Sequence, residues 1–161
     1  MSYGRFFILI VLGLIIYAQT FGFGFVFDDD QFIVNNPYIR SLDKAFEDGQ
    51  ILPFTRFLGV FTFALNYQAG GLNPFVYHFF NVCLHVLVTL LVWALAGLLL
   101  RIAPLKDRAG KDFQNHIPFL VALIYLVHPL QTQAVSYISQ RFESLATLCY
   151  VSCVYCYLQA R

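Results

Sequence analysis

The chain has 161 residues, of which 59% are hydrophobic and 12% are charged, and its mean hydropathy is +0.66. Soluble domains carry about 25% charged residues, so this composition excludes an ordinary soluble domain. The net charge of +1 is not concentrated on a basic face, which excludes nucleic acid as a partner. We therefore predict an all-α integral membrane protein, with residues 1–161 in one transmembrane domain and no soluble domain.

Four apolar segments are predicted to give three or four transmembrane helices, at about residues 6–27, 77–102, 117–128 and 142–160. The first is long enough, at 1.5 Å per residue, to cross a hydrocarbon core of about 30 Å. The third is short for a full crossing and is closed by His128 and Pro129. It therefore either thins the bilayer locally or packs inside a helix bundle.

Positive charge predicts the orientation of these spans. Arg5 precedes the first span, and the connector after the second carries Arg101, Lys106, Arg108 and Lys111. Because Lys and Arg favour the cytoplasmic side, we predict that the N-terminus and this connector are cytoplasmic. The loop of residues 28–76 then faces the periplasm, the lumen or the exterior. The same side holds the acids Asp28, Asp29, Asp30, Asp43, Glu47, Asp48 and Glu143.

The outer loop, residues 28–76, is too long to be a mere connection. Its residues 42–46 and 54–67 are amphipathic, and the second stretch carries an aromatic stripe at helical spacing, formed by Phe54, Phe57, Phe61 and Leu65. Such a stripe is typical of helices that lie along a membrane interface. We predict one or two interfacial helices between residues 40 and 70.

Three consecutive carboxylates, Asp28, Asp29 and Asp30, follow the first span directly. Adjacent carboxylates repel one another unless water, a cation or a metal offsets the repulsion. One interpretation is a solvated helix end. The other is a functional acid pair, because the flanking residues 25–27 and 31–37 are rich in aromatic side chains and typical of an ordered segment. The triplet also suits a divalent metal ion, but no metal ligands are assigned.

Polar residues in the second span recur on one helical face, at His78, Asn81 and His85. Ionisable residues within a span point into the bundle, so we expect this face to contact protein. Interhelical hydrogen bonding and ligand contact are both compatible with it. The two histidines lie about 10 Å apart along the axis, too far to share a metal ion. The four cysteines are interpreted as small apolar helix residues.

Short motifs follow one another between about residues 22 and 148: Phe25–Asp29, Asn35–Pro37, Arg56–Leu58, Ala64–Tyr67, Gly70–Pro74, Tyr77–His85, His128–Val135 and Ser139–Ser144. In order and spacing this set resembles the transmembrane and tetratricopeptide-repeat O-mannosyltransferases and their bacterial relatives. These are GT-C class glycosyltransferases that take sugar from a polyprenyl-phosphate donor. The chain departs from the pattern at Gln133, where the family often has an acid, and at Phe57, where it has proline.

The resemblance implies a membrane glycosyltransferase, or the N-terminal part of one. It would move sugar from a polyprenyl-phosphate-linked donor to a protein or glycan hydroxyl at the outer face. Asp28 or Asp29 would be the general base. Arg56 and Arg141 would bind the donor phosphate, although each is also compatible with an arginine that merely extends to the interface. Supporting residues would be Glu143, His78, Asn81, His85 and His128.

Because the family has more spans and a C-terminal repeat array, we expect these 161 residues to be incomplete for catalysis and to need a C-terminal region or a partner subunit. Beyond the donor, no cofactor is assigned, and metal dependence stays open. Two other classes of function are compatible with the sequence. One is a non-catalytic membrane subunit or scaffold that retains the family's helices. The other is a small transporter or lipid-binding protein, although the sequence lacks the paired broken helices expected of transporters.

Overall fold

A computed structural model describes residues 3–51, 54–102 and 110–161. These residues form helices and connecting turns without a strand, so the predicted all-α class is confirmed for the described part of the chain. The α-helices, in chain order, are α1 (Tyr3–Ile16), α2 (Leu42–Ile51), α3 (Phe54–Gly70), α4 (Pro74–Ile102), α5 (Lys111–Val127), α6 (Gln131–Ser136) and α7 (Arg141–Ala160).

Among the described helices, α4 is the one that is long and apolar enough to cross a membrane. Tyr3–Ile16 and Phe113–Val127 are shorter apolar helices. Length and composition therefore support one crossing directly, and the predicted count of three or four stays a proposal.

The first predicted span, residues 6–27, is wrong as a single helix. α1 ends at Ile16, a short 3-10 turn covers Ala18–Gly22, and the chain then becomes extended. Tyr17 is fixed by its hydroxyl, which donates a hydrogen bond to the Leu126 carbonyl at 3.2 Å. Glycines at 22 and 24 further disfavour a continuing helix. The apolar run is therefore divided between a helix and a folded segment.

The inner core is organised around α4, which packs against α1, α5 and α7. Its buried apolar side chains are Leu9, Val86, Trp93, Ala122 and Leu126. α1 approaches α4 closely because residue 13 is glycine: a Cβ there would lie 2.7 Å from Val86 Cγ2. Small residues at such contacts allow membrane helices to approach one another.

A second cluster of buried side chains lies at the end of the bundle where α4 begins. It is built by α2, α3, the turn Tyr38–Arg40 and the start of α4. α3 is a core helix, because Val60, Phe63 and Ala64 are buried. The predicted aromatic stripe lies on a different face, where Phe57 and Phe61 stack at 5.8 Å between ring centroids. The prediction of an interfacial helix in this stretch stays a prediction, and the structure adds that α3 has a buried face.

The two ends of the bundle differ in charge. Arg5 and Arg101 meet beside the start of α5 and line one cavity there. The acidic triplet lies at the opposite end, after α1. Five charged residues used to predict orientation fall outside the described residues or have side chains that are not described, namely Glu47, Asp48, Lys106, Arg108 and Lys111.

Gly59→Ala is expected to destabilise the protein. A Cβ at position 59 would lie 2.0 Å from Phe142 Cε1, and the Phe142 ring is itself held between Phe32 and Phe63. Overpacking of this kind costs about 1–3 kcal/mol, more than the gain in helix propensity. Thermal unfolding in detergent measures the loss. The matched control is Gly24→Ala, where a Cβ meets nothing within 4 Å. Equal midpoints for the two variants would contradict the close packing.

Candidate functional site

The acidic triplet sits on an unusual backbone. Phe27 immediately precedes it and has a φ of 49°, a left-handed conformation that a bulky residue adopts only at a cost of about 1–3 kcal/mol. The Phe27 side chain is 85% exposed, so its own burial does not offset this strain. The next residue, Asp28, donates its backbone N–H to the Tyr137 hydroxyl at 3.0 Å. The surrounding structure therefore holds this segment in a fixed, strained shape.

Asp29 is the buried member of the triplet. Its side chain is fully buried, and one carboxylate oxygen accepts the backbone N–H of Ser139 at 2.8 Å while the other accepts that of Val26 at 3.1 Å. Burial raises the pKa of Asp29, the nearby Asp28 charge raises it further, and the hydrogen bonds from Val26 and Ser139 oppose the rise. Asp29 therefore joins the loop after α1 to the turn before α7.

The raised pKa of Asp29 predicts a pH dependence of stability. A carboxyl group with a raised folded-state pKa stabilises the fold below its unfolded value, 3.8, and loses that contribution as the pH rises through the folded value. The stability of Asp29→Asn relative to the native chain should therefore increase with pH above about 3.8. Unfolding midpoints measured from about pH 3.5 to about pH 7, a range that begins just below the unfolded value and ends about three units above it, give this difference.

The control for this titration is Asp30→Asn, because Asp30 is exposed. Its unfolding midpoints are measured over the same pH range. A parallel slope in both variants would assign the effect to the triplet as a whole rather than to Asp29.

Asp28 and Asp30 are exposed. Asp30 begins a π-helical turn, Asp30–Val34, that is closed by a hydrogen bond from Asn35 N–H to the Asp30 carbonyl at 2.8 Å. Turns of this type are frequent at functional sites. Asp28 lies outside that turn and is anchored through its backbone to Tyr137. Of the two residues proposed as the base, Asp28 is thus the one whose carboxylate can reach a substrate.

A groove of about 290 Å³ lies beside this segment. Gln31, Asn35, Asn36 and Arg56 give it polar groups, and Phe32 and Phe142 form apolar walls. Arg56 is exposed, and its guanidinium lies 5.8 Å from the centroid of the Phe32 ring. An exposed guanidinium that lies against an aromatic ring can still donate two hydrogen bonds to a phosphate. The structure thus brings Arg56 to the same end of the bundle as Asp28.

Arg141 occupies a different environment, because it is fully buried. Its Nε donates to Asn81 Oδ1 at 2.7 Å, and its Nη1 donates to Asn66 Oδ1 at 2.6 Å. Further donation goes to the Thr62 hydroxyl at 3.4 Å and the Tyr77 carbonyl at 3.0 Å. Thus α3 and α4 together supply the acceptors for a guanidinium from α7.

Aromatic rings complete the enclosure of Arg141. Its guanidinium carbon lies 4.4 Å from the Phe80 ring centroid and 4.5 Å from that of Phe63, within the range of cation–π attraction. Since its donors bind protein acceptors and its side chain has no exposed surface, Arg141 cannot contact a donor phosphate in this conformation. The sequence analysis assigned Arg141 and Arg56 the same role, but the structure places them in different environments, one buried and one exposed.

The Arg141 cage and Asp29 are joined by a chain of hydrogen bonds. Asn81 accepts from Arg141 and donates to the carbonyls of Val135 and Ile138, each at 3.4 Å. The next residue, Ser139, donates its N–H to Asp29. Arg141 is therefore linked through Asn81 to the turn whose Ser139 binds Asp29.

The polar face of α4 is buried, which confirms that it points into the bundle: His78, Asn81 and His85 are 1–3% exposed. The His85 ring nitrogen Nε2 lies 3.2 Å from the Leu126 carbonyl. No hydrogen-bond partner of His78 is found among the described residues, and its ring lies edge-on to that of Phe23. Asn81 and His85 thus join α4 to α7 and to α5, respectively.

The remaining candidates lie on the surface. His128 is exposed, follows the last residue of α5, and accepts the Leu130 N–H at its Nδ1 at 3.3 Å. Glu143 is exposed in the first turn of α7, in surroundings unlike those of buried Arg141. In the described residues, no group of three or more His, Cys, Asp and Glu side chains could hold a metal ion.

Sequence reasoning missed Tyr137, whose hydroxyl accepts the Asp28 N–H and whose ring packs edge-on to that of Phe27 at 6.2 Å. It also missed the acceptors of the Arg141 cage, Asn66 and Thr62. Both Asn66 and Asn81 stand within the quoted motifs, and a polar amide inside each of two apolar helices is the signal that could have paired them with a buried arginine.

No protein-family model and no solved structure matches the chain. A protein O-mannosyl-transferase of Caenorhabditis elegans is 33% identical over 88% of this chain and 21% of its own length. The protein O-mannosyl-transferase TMTC2 of Mus musculus is 31% identical over 92% of the chain and 18% of its own length. The protein O-mannosyl-transferase TMTC1 of Homo sapiens is 32% identical over 84% of the chain and 16% of its own length. The chain thus spans about a fifth of the length of these curated relatives.

Proposed function

Because this chain belongs to the protein O-mannosyl-transferase family, we propose that it forms part of a membrane glycosyltransferase. The donor is a polyprenyl-phosphate-linked sugar, and the acceptor is a hydroxyl group of a protein. Relatives named for O-mannosyl transfer support the sugar and the oxygen acceptor. The polyprenyl phosphate fits a site that lies at the end of apolar helices.

One observation carries this proposal: an exposed carboxylate, Asp28, stands beside a buried one, Asp29, on a strained backbone. A solvated helix end would need neither the left-handed Phe27 nor two backbone hydrogen bonds to Asp29. Strained backbone that the surroundings hold in place is concentrated at functional sites. Asp28 is proposed as the general base and Asp29 as the residue that fixes its position.

The reaction follows from these positions. Asp28 takes the proton of the acceptor hydroxyl as its oxygen attacks the anomeric carbon of the sugar, and the bond from that carbon to the phosphate oxygen breaks. The electron pair of that bond leaves with the polyprenyl phosphate. Arg56 binds the departing phosphate, which gains negative charge in the transition state. Because Arg141 is buried, we assign the phosphate to Arg56 alone.

We further propose three or four membrane crossings, with the N-terminus in the cytoplasm and the acidic loop in the lumen, periplasm or exterior. The separation of Arg5 and Arg101 from the triplet, at opposite ends of the bundle, supports this orientation. The donor and acceptor would then meet at the outer surface.

Orientation is tested with an impermeant thiol reagent. The native cysteines at 83, 149, 153 and 156 are exposed and are first replaced by alanine. A cysteine at Asp30 should then react from the outer side of sealed vesicles, and a cysteine at the exposed Arg101 from the cytoplasmic side alone. The reverse pattern would contradict the proposed orientation.

The function is tested by sugar transfer. The chain, and any longer natural protein that contains it, is purified and supplied with polyprenyl-phosphate mannose and a serine-containing peptide. Formation of mannosyl peptide and free polyprenyl phosphate in equal amounts is the expected result for the longer protein. Hydrolysis of the donor without peptide modification would contradict the proposed acceptor.

A non-catalytic membrane subunit is the alternative. It is favoured by the apolar outer face of α7, where Tyr150 and Tyr157 are 72% and 63% exposed, because a helical partner could cover such a face. Co-purification of a membrane protein with the chain, together with no transfer by any natural protein that contains it, would select this alternative.

A further inference from the structure

The end of the bundle opposite the acidic loop contains a cavity of about 820 Å³, bounded by α1, α4, α5 and α7. We propose that this cavity binds an anionic phospholipid, with the headgroup phosphate between Arg5 and Arg101. This site is separate from the proposed glycosyltransferase site and does not depend on it.

The charge of the cavity selects an anion. Arg5 and Arg101 both line it, and no acid is found among its described lining residues. The Arg5 guanidinium is held in place by the Asn115 carbonyl and by His116 Nδ1, the latter at 3.2 Å. Neither the Asn115 carbonyl nor the His116 ring carries a negative charge, so these contacts do not balance the positive charge of Arg5. An anion that enters the cavity therefore meets two arginines, with no carboxylate among the lining residues that the structure describes.

The walls of the cavity select a lipid. Beyond the arginines, one part of the lining is polar and another is apolar. The polar part consists of Gln114, Asn115, His116 and Gln159, and the apolar part is formed mainly by Trp93, Gly97 and Leu98 of α4 and Pro118 of α5. A free phosphate ion would bind the arginines and leave the apolar wall exposed to water. A phospholipid would occupy both parts of the cavity, with its headgroup at the arginines and an acyl chain along α4. Basic pockets between membrane helices on the cytoplasmic side are known to hold anionic headgroups.

The site is tested on the purified 161-residue chain in detergent. Dioctanoyl phosphatidylglycerol, dioctanoyl phosphatidylcholine and inorganic phosphate are titrated separately, and bound lipid is counted by native mass spectrometry alongside the unfolding midpoint. We expect saturable binding of phosphatidylglycerol and a rise in the midpoint, since a ligand that binds the folded state stabilises it. Phosphatidylcholine and inorganic phosphate should give neither.

Two variants locate the binding. Arg101→Gln removes one exposed charge and should weaken phosphatidylglycerol binding by about fivefold, the usual worth of one cation near an anionic lipid. Gly97→Leu narrows the cavity beside α4 without changing its charge and should weaken phosphatidylglycerol binding. A side chain fits at position 97, because its Cβ would lie 3.9 Å from Pro118 Cγ, an ordinary contact.

Arg161→Gln is the matched control, since Arg161 is an exposed arginine at the end of α7 that does not line the cavity. Its affinity for phosphatidylglycerol should equal that of the native chain. Equal binding of phosphatidylcholine, binding of inorganic phosphate with the same dependence on Arg101, or a Gly97→Leu variant that binds as tightly as the native chain would each overturn the proposal.

Discussion

Asp28→Asn is expected to lower the rate of sugar transfer by about 10²–10⁴-fold, the usual contribution of a general base. The amide keeps the size of the side chain and leaves the backbone N–H of residue 28 free to bond Tyr137, so the fold should be unchanged. Transfer from polyprenyl-phosphate mannose to peptide, measured with the longest natural protein that contains the chain, gives the rate. An unchanged unfolding midpoint shows that the loss is chemical.

Asp30→Asn is the matched control, because Asp30 is also exposed and lies two residues away in the same triplet. It should cost far less than Asp28→Asn. A similar small loss at both positions would mean that the triplet serves only as a solvated segment at the end of the bundle. A large loss at Asp30 alone would move the base to the start of the π-helical turn.

Arg141→Leu is expected to destabilise the protein by at least about 3 kcal/mol. The substitution leaves Asn66, Asn81 and the Tyr77 carbonyl without the donor that they bond now, and each buried group left unpaired costs about 1–3 kcal/mol. Removing one member of a buried polar network is more damaging than replacing the whole network. For a chain of this size the unfolding midpoint should fall by about 6–12 °C.

Arg56→Leu provides the comparison, since Arg56 is exposed and most surface substitutions change stability by less than about 0.5 kcal/mol. Substitution of the two arginines should therefore affect different properties: Arg141→Leu should lower stability, and Arg56→Leu should weaken binding of the donor. Arg141→Lys keeps the charge but not the planar fork of donors, so it should restore little. Native stability in Arg141→Leu would show that the cage contributes nothing to the fold.

Hydropathy predicted the long helices well where a helix and an apolar run coincide. The predicted span 77–102 corresponds to α4, Pro74–Ile102, and the predicted span 142–160 to α7, Arg141–Ala160. It failed where they differ. α5 begins at Lys111, in a polar stretch that has no hydropathy signal, and α1 ends inside an apolar run.

The acidic site was predictable to the level of the pair but not of the residue. Adjacent residues in a sequence carry no information about which one is buried, because that depends on Val26 and on Ser139, which lies far along the chain. Arg141 shows the same limit. A lone arginine beside an apolar run is usually at an interface, and its burial here depends on amides in two other helices.

The Arg141 cage also has a consequence for the order of assembly. Its acceptors lie in α3 and α4, which the ribosome makes before α7. A guanidinium that enters an apolar interior without these acceptors would lose its hydration and gain nothing in return. α7 can therefore dock only after α3 and α4 have met. The last described helix, α7, is therefore held in the bundle by a buried charge whose acceptors are already in place, and it docks only on helices that have packed correctly.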